Sequence, residues 1–512
     1  MQKTRTILFS ALALHAFFWT FAPTLFLSNY QIDTMEMIII GQHWVLSTFK
    51  HPAFQGWVAE VYAVLFNRAE FVPYLAAQTA CVLCVLTVYR FALRLLSPQL
   101  AVLAALTLLS YFYFHYDSTV YNNRTFMRLF YILAVFFLYL SVTENKKRYW
   151  ILTGLALGLG LYCKFTIFVL IASVLIYLFI DSQGRKYWKT PGPYLSTGVC
   201  FLVFLPLLIW LFQSDFAMFR YAEHSIGKVK PAAFNRLFSP VKFFYCQIPI
   251  VAVLLIPLYP MLLPPLGTFR FQFDKARLCS PAGRFLLSFI AVPLLLQMFA
   301  AGYFAGDMRA ALGCHLWLLL PLFLLYTLKI PETRQKKYPL CVKIVFVNIV
   351  FFAVGTICVT QFAPLLTGRD SRYHFPGETL AEVVNAVWTQ RYDAPLSFVR
   401  GDDICTESVG CYLYPPPSVY SPLWAAEADF RNKGGILLWF IADPGTLPRR
   451  AFKDNFGNDD FVYNKLTGQA AADWLAHFPT AEILPPLELK ANTILPVPPI
   501  KIGIAVIPPQ KR

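Results

Sequence analysis

Apolar runs close to the length of about 20 residues that crosses a bilayer recur along most of this chain, and nothing else restricts its fold as strongly. They lie at roughly 7–27, 71–95, 100–116, 126–143, 150–163, 166–181, 195–213, 241–263, 285–302, 315–328 and 340–362, which makes eleven expected spans, several of them short. A soluble domain has about 25% charged residues. Here 57% of the 512 residues are hydrophobic and 14% are charged. The class is a polytopic α-helical membrane protein.

The formal net charge of +16 would suit a nucleic-acid partner, but its placement does not. With the N-terminus inside, nineteen Lys and Arg fall in the inner loops and ten in the outer ones. That excess is the positive-inside bias, so membrane lipid accounts for the basicity and no nucleic acid is implied. The start, Met-Gln-Lys-Thr-Arg ahead of about twenty apolar residues, resembles a secretory signal. It has no small-x-small cleavage site before a soluble domain, so it reads as an uncleaved first span. An odd number of spans then puts everything after about residue 363 outside.

Past that point the pattern changes. Apolar runs shorten to strand length at 395–399, 436–441 and 501–507, with helical patterns at 377–392 and 467–478 between them. Such alternation suggests a small α/β domain. We therefore expect residues 1–363 to form the membrane module and 364–512 an extracytoplasmic α/β domain. Of the eleven cysteines, Cys81 and Cys84 make a C-x-x-C inside an apolar run without companion ligands, which speaks against a metal or redox role. Cys405 and Cys411 are the only two in the polar C-terminal segment, placed in a disulfide-permissive space, where a structural Cys405–Cys411 bridge and two free thiols both fit. Residues 213–240 mix aromatics with Lys and Arg, as an interfacial amphipathic helix does and as a solvated loop can.

The chemistry-bearing residues concentrate in 28–60, SNYQIDTMEMIIIGQHWVLSTFKHPAFQGWVAE. Asp33 and Glu36 stand three residues apart where the chain leaves its first span, and Lys50-His51-Pro52 follows about one loop later. Carboxylates beside a bilayer are expensive to desolvate, so a pair placed there is a functional hypothesis by default. A spacing of three lets both share one helical face. With a nearby cation, the set suits proton removal next to a bound anion. The same Asp33-Thr34-x-Glu36 also fits the start of a loop helix with Asp33 as its N-cap.

Lys50 is a compact charge suited to phosphate, or else an interfacial lysine. His51 fits a phosphate or acceptor ligand and equally a satisfied loop histidine. Arg124 and Lys164 stand in short outer turns, facing the same cavity as Asp33 or snorkelling to the interface. Arg309 is a further basic candidate unless it pairs with Asp307, and Asn122 and Asn123 suit sugar hydroxyls. No P-loop, H-E-x-x-H or G-x-S-x-G is present, and the Gly-rich run at 154–163 reads as close helix packing. No metal or organic cofactor is implied.

The order Asp-x-x-Glu, then Gly41-x-x-Trp44, then Lys50-His51-Pro52 and Trp57, resembles the polytopic lipid-phosphate-dependent glycosyltransferases of the GT-C fold. The nearest branch is the bacterial relatives of protein O-mannosyltransferases, which include aminoarabinose and galacturonic acid transferases acting on lipid A. TVYNNRTFMRL (119–129), RYWILTGLALGLGLYCKFTIFVL (148–170) and FAGDMRAALGCHLWLLLPL (304–322) are similar to further stretches of that family. Two departures stand out: Ala53-Phe54 replaces the usual Pro-Leu after His-Pro, and Thr34 stands where a second acid often follows.

The resemblance implies a GT-C-like bundle with a reactive outer cavity under a C-terminal α/β cap. It implies Asp33 as the base that takes a proton from an acceptor hydroxyl, with Glu36 orienting the acceptor, positioning Asp33 or binding a cation. It implies Lys50, His51, Arg124, Lys164 and Arg309 as candidates for the phosphate of a polyprenyl-phosphate sugar, and Asn122 and Asn123 for the sugar. The implied partners are membrane lipids, that donor and a glycolipid acceptor, lipid A or another envelope glycolipid, at a bacterial inner membrane with the C-terminal domain in the periplasm. Two other classes fit part of the pattern: a lipid-glycan transporter or flippase, for which matching broken halves are expected and no internal repeat is found, and a scaffold acting through its C-terminal domain.

Overall fold

The computed structural model describes residues 2–226, 233–263, 272–304, 309–367, 372–419, 427–441, 475, 478–490 and 499–510. The chain forms two compact units. The first comprises Met1–Phe21, Phe49–Gln55 and Tyr74–Val354, and the second Ala22–Thr48, Gly56–Pro73 and Gly355–Arg512. The second unit thus draws two short segments of the first loop region together with the C-terminal segment.

An apolar helix occurs at each of the eleven expected positions. Among the described residues, seven helices are long and apolar enough to cross a membrane by themselves, or eight if Ile167–Ile180 and Ser182–Lys189, bent by 82°, are one span. The difference from eleven lies in short helices such as Pro98–Thr107, Lys147–Leu161 and Leu320–Thr327. Backbone that is not a full-length helix is tolerated in a membrane where protein surrounds it. Residues 313–319 are buried ahead of Leu320–Thr327, and side chains serve this irregular stretch. Gln247 Nε2 donates to the Ala310 carbonyl at 3.1 Å and Gln297 Nε2 to that of Leu312 at 3.0 Å. Trp317 Nε1 in turn donates to Gln247 Oε1 at 3.1 Å.

Large apolar side chains stand exposed along the helices, among them Phe201, Leu202, Leu295, Phe299 and Phe351. An apolar surface of that extent is a lipid-facing one, as an integral membrane protein requires. Within the first unit, Lys147–Leu161 lies so close to Gly192–Gln213 that a Cβ on Gly154 would come 2.2 Å from the Ser196 carbonyl oxygen. Within the 213–240 stretch the described residues are helical over Ala217–Ile226 and again from the start of Ala233–Leu255.

The second unit carries a four-stranded sheet of β1 (Val399–Gly401), β2 (Gly435–Phe440), β3 (Glu482–Leu489) and β4 (Ile500–Ile507), in the order β1-β2-β4-β3. Among the described strands β1 and β2 pair in parallel and the other two pairings are antiparallel, and helix Asp403–Tyr412 lies in the β1–β2 crossover. The expected strands at 436–441 and 501–507 are β2 and β4, while the one at 395–399 starts later, as β1. Strand β3 was not expected, because Pro485-Pro486 break its pattern. An edge strand accommodates proline, and the register against β4 shifts between Leu484 and Leu487, where the two prolines sit. The helix expected at 377–392 is Gly377–Thr389; the one at 467–478 falls almost wholly outside the described residues.

Replacing Gly154 with Val should destabilise the bundle by about 1–3 kcal/mol, the usual cost of overpacking. Thermal unfolding in detergent checks this, and an unchanged melting temperature would mean that the two helices part freely.

Candidate active site

The acidic pair sits on helix Ile32–Gln42, in the second unit. Its N-cap is Gln31, in extended backbone and without a side-chain cap, so Asp33 is not the cap. Asp33 instead occupies the first turn, where a carboxylate faces the positive end of the helix dipole. The spacing of three did not give the two acids the same surroundings. Asp33 is exposed, whereas Glu36 is buried with Thr34, Met35, Met37, Ile39 and Ile40. Only the Asp33 carboxylate is open to a group arriving from solvent.

The helix is held closely at its far end. A Cβ on Gly41 would lie 2.2 Å from the carbonyl oxygen of Gly56, so the Gly of Gly41-x-x-Trp44 is a packing requirement. Trp44 takes a left-handed backbone, φ 48°, and is exposed. Trp57 Nε1 donates to the Val45 carbonyl at 2.8 Å, tying the loop back. Burial holds His43, just past the helix, below its usual pKa, with a backbone hydrogen bond to Pro417 opposing the shift. Buried Glu60 receives a two-pronged ion pair from Arg68, at 2.5 and 3.1 Å, and Arg68 lies over the Tyr414 ring at 4.0 Å.

A separate polar constellation belongs to the first unit. Asn123, in the first turn of helix Asn123–Glu144, joins two sequence-predicted residues through one amide. Its Nδ2 is 3.0 Å from His51 Nδ1, and its Oδ1 accepts from Lys164 Nζ at 3.4 Å. With the amide nitrogen donating, Nδ1 is the unprotonated ring nitrogen of His51. Gln55 Nε2 donates to the Asn123 carbonyl at 2.7 Å, and Tyr121 O–H to that of Gln55 at 2.7 Å. His51, Asn123 and Lys164 therefore converge, although 72 and 41 residues separate the outer two from Asn123.

Other expected residues are placed differently. Asn122 is the N-cap of the same helix: its Oδ1 accepts from the Arg124 N–H at 2.9 Å, and Thr125 Oγ1 accepts from its own N–H at 3.2 Å. The carbonyl oxygen expected to meet a sugar thus closes a capping box. Arg124 is not in a turn between helices but in the helix, paired with Asp117 at 3.0 Å. Asp117 also takes Arg128 at 3.3 Å, and the Arg128 side chain is 1% exposed. Sequence reasoning missed both Asp117 and Arg128, though charges inside the apolar stretch 111–129 were a signal available for them. Lys50 is half-buried with its Nζ 5.8 Å from the Phe49 ring centre, and Arg309 is exposed ahead of a short turn of helix. Asp307 lies outside the described residues.

Cys405 and Cys411 are both free and buried. They stand six residues apart on helix Asp403–Tyr412, an axial rise of about 9 Å, and no disulfide spans Cα atoms more than about 7 Å apart. Burial pushes both thiols well up in pKa, so they stay protonated. Among the described residues no group of three His, Cys, Asp or Glu is placed to hold a metal ion.

Over residues 50–210 the sequence matches a family model described as dolichyl-phosphate-mannose-protein mannosyltransferase. No curated protein matches the sequence. Among solved structures, ArnT from Cupriavidus metallidurans bound to undecaprenyl phosphate aligns with a TM-score of 0.59 at 12% identity, over 97% of each chain. The same protein in the apo state aligns at 0.55 and 12% identity, over 99% of this chain and 98% of that one. What is shared at such identity is the architecture, the GT-C fold.

Two expectations follow. Arg128→Ala should cost about 1.5–3 kcal/mol, the scale of a hydrogen bond to a charged group, and Arg124→Ala less, because Arg124 is partly exposed, while either variant leaves Asp117 its other guanidinium group. Unfolding of the two variants in detergent gives the order. Thiol titration of the denatured, unreduced protein should count all eleven cysteines; a bridge between Cys405 and Cys411 would remove two.

Proposed function

We propose that this chain, of GT-C fold and carrying the mannosyltransferase family pattern over residues 50–210, is an inverting glycosyltransferase using a polyprenyl-phosphate sugar. The acceptor is a hydroxyl group on the extracytoplasmic side, on lipid A or another envelope glycolipid. The membrane is the bacterial inner membrane, and the α/β domain within 364–512 is periplasmic. The observation that carries the reading is the contrast between the two acids: Asp33 open in the first turn of a tightly packed helix, Glu36 buried beneath it. A structural pair gains nothing from exposing one member.

In this reading the Asp33 carboxylate accepts the proton of the acceptor hydroxyl as its oxygen attacks the anomeric carbon. The bond from that carbon to the phosphate oxygen breaks, the configuration inverts, and the polyprenyl phosphate departs with the bonding electrons. The proton on Asp33 then returns to solvent. A general base contributes about 10²–10⁴-fold; the remainder comes from positioning and from donors aimed at the leaving phosphate. Lys50, His51 and Lys164 are the proposed phosphate-side groups, with Arg309 as a further cation. Asn123 sets the orientation of His51 and Lys164 through its amide. Arg124 contributes less charge than expected, because Asp117 is already beside it. Glu36 supports the helix from its buried face. A monophosphate donor asks for no metal. The binding of undecaprenyl phosphate by ArnT, a structure of the same fold, supports this choice of donor.

Mass spectrometry of envelope lipids tests the reading in cells with the wild-type protein, without it, and with Asp33→Asn at matched membrane levels. A sugar-sized mass increment should depend on the wild-type protein and fall by about 10²–10⁴-fold in Asp33→Asn. Retention of the increment in that variant rules out Asp33 as base. If no lipid changes in any strain, the lipid acceptor is wrong, and a protein or polymer acceptor or transport without chemistry replaces it.

A further inference from the structure

The helix that carries Asp33 is eleven residues long and lacks a side-chain N-cap. Helices of fewer than about 12–15 residues are marginal on their own, so its orientation is imposed from outside. Within the second unit Gly56 holds its far end, and helix Asp403–Tyr412 packs along it. Asn29, 2% exposed and four residues ahead of Asp33, is where the two are joined. Its Oδ1 accepts from the Tyr412 hydroxyl at 3.0 Å, and its Nδ2 lies 3.5 Å from Ser408 Oγ. Ser408 Oγ also reaches Met35 Sδ, at 3.6 Å, inside the acidic helix itself. The rings of Tyr30 and Tyr412 stack with centres 5.6 Å apart and planes 11° from parallel. At the far end Gln42 Nε2 donates to the Cys411 carbonyl at 3.4 Å.

The seat of the Asn29 amide leaves no slack. A Cβ on Gly377 would stand 2.6 Å from Asn29 Oδ1 and 2.8 Å from Ser408 Oγ. Just before Asn29, the Ser28 N–H donates to the Tyr373 carbonyl at 2.9 Å. A helix turns by about 100° per residue, so a small change in where the chain enters it swings the Asp33 carboxylate through an arc. Catalytic groups tolerate only about 0.5 Å or 10–20° of misplacement.

We propose that Asn29 is a positioning residue, which with Tyr412 and Ser408 sets the rotation of the acidic helix and thereby aims the Asp33 carboxylate. The inference rests on the role of Asp33 as base. It assigns the α/β segment a part in the reaction through the Tyr412 phenol and the Ser408 hydroxyl.

The test uses full-length Asn29→Ala, Tyr412→Phe, Asp33→Asn and the double variant Asn29→Ala/Asp33→Asn, at matched levels. Membranes from cells lacking the protein supply the acceptor, and their extracted lipid-linked sugar fraction is titrated as the donor. Tyr412→Phe keeps the ring that stacks on Tyr30 and removes only the hydroxyl, so it reports even if Asn29→Ala folds poorly. Maximal rate should fall about 10²-fold in Asn29→Ala, the scale of a small misplacement, and about five- to tenfold in Tyr412→Phe, one neutral hydrogen bond. The half-saturating donor concentration should stay within about twofold of wild type, since ground-state donor binding is untouched. With Asp33 already Asn, adding Asn29→Ala should change the residual rate little, because residues acting through one another are not additive. Wild-type maximal rate in Tyr412→Phe overturns the proposal, as does a further 10²-fold loss in the double variant. An active Asp33→Asn enzyme instead removes the base assignment itself.

Discussion

Every peptide group in a chain this apolar has to find its hydrogen-bond partner inside the protein, and the first unit is organised by that demand. Long helices meet it locally. Where the chain leaves helical geometry, around residues 310–319, Gln247 and Gln297 reach from neighbouring helices to its carbonyl groups. Trp317 returns a hydrogen bond to Gln247, which keeps that amide from being a buried polar group with half its capacity idle. Short and irregular elements can therefore stand inside the bundle, where length alone would reject them as spans.

The same economy governs the ionised groups. Asp117 sits between Arg124 and Arg128, and one acid shared by two guanidinium groups leaves an excess of positive charge in a largely buried place. Burying ions costs more than their attraction returns unless the geometry is good. The arrangement is thus weak as a stability device, and it lies one helical turn from Asn123, which joins His51 and Lys164. In the second unit the neutral Asn29–Tyr412–Ser408 set does for the acidic helix what these charges cannot: it fixes a direction at little desolvation cost.

Much of the architecture was legible before any coordinates, because apolar run length is a local signal. Helices at all eleven positions and two of three strands followed from it. Asp33, Glu36, His51, Asn123 and Lys164 were legible as residue types out of place beside a bilayer. Other features were not. Strand β3 hides behind Pro485-Pro486, whose acceptability depends on its being an edge strand, which is a property of the sheet. Of the two readings open for Cys405 and Cys411, the bridge is excluded because the segment between them is a helix rather than a turn. Its start is marked by Asp402, whose side chain accepts from the Ile404 N–H, a local sign that was there to be read.

Sequence alone determined the membrane class, the polytopic helical bundle, the change to a small α/β segment and the identity of the acidic helix, since each depends on neighbours within about one helical turn or one strand. Tertiary structure decided which acid faces solvent, that one amide would join His51 to Lys164, and that Asn29 would meet Tyr412. These are outcomes of packing between residues tens to hundreds of positions apart. Burial and partner choice arise only when distant segments compete for the same space and the same hydrogen bonds. No local pattern encodes that competition.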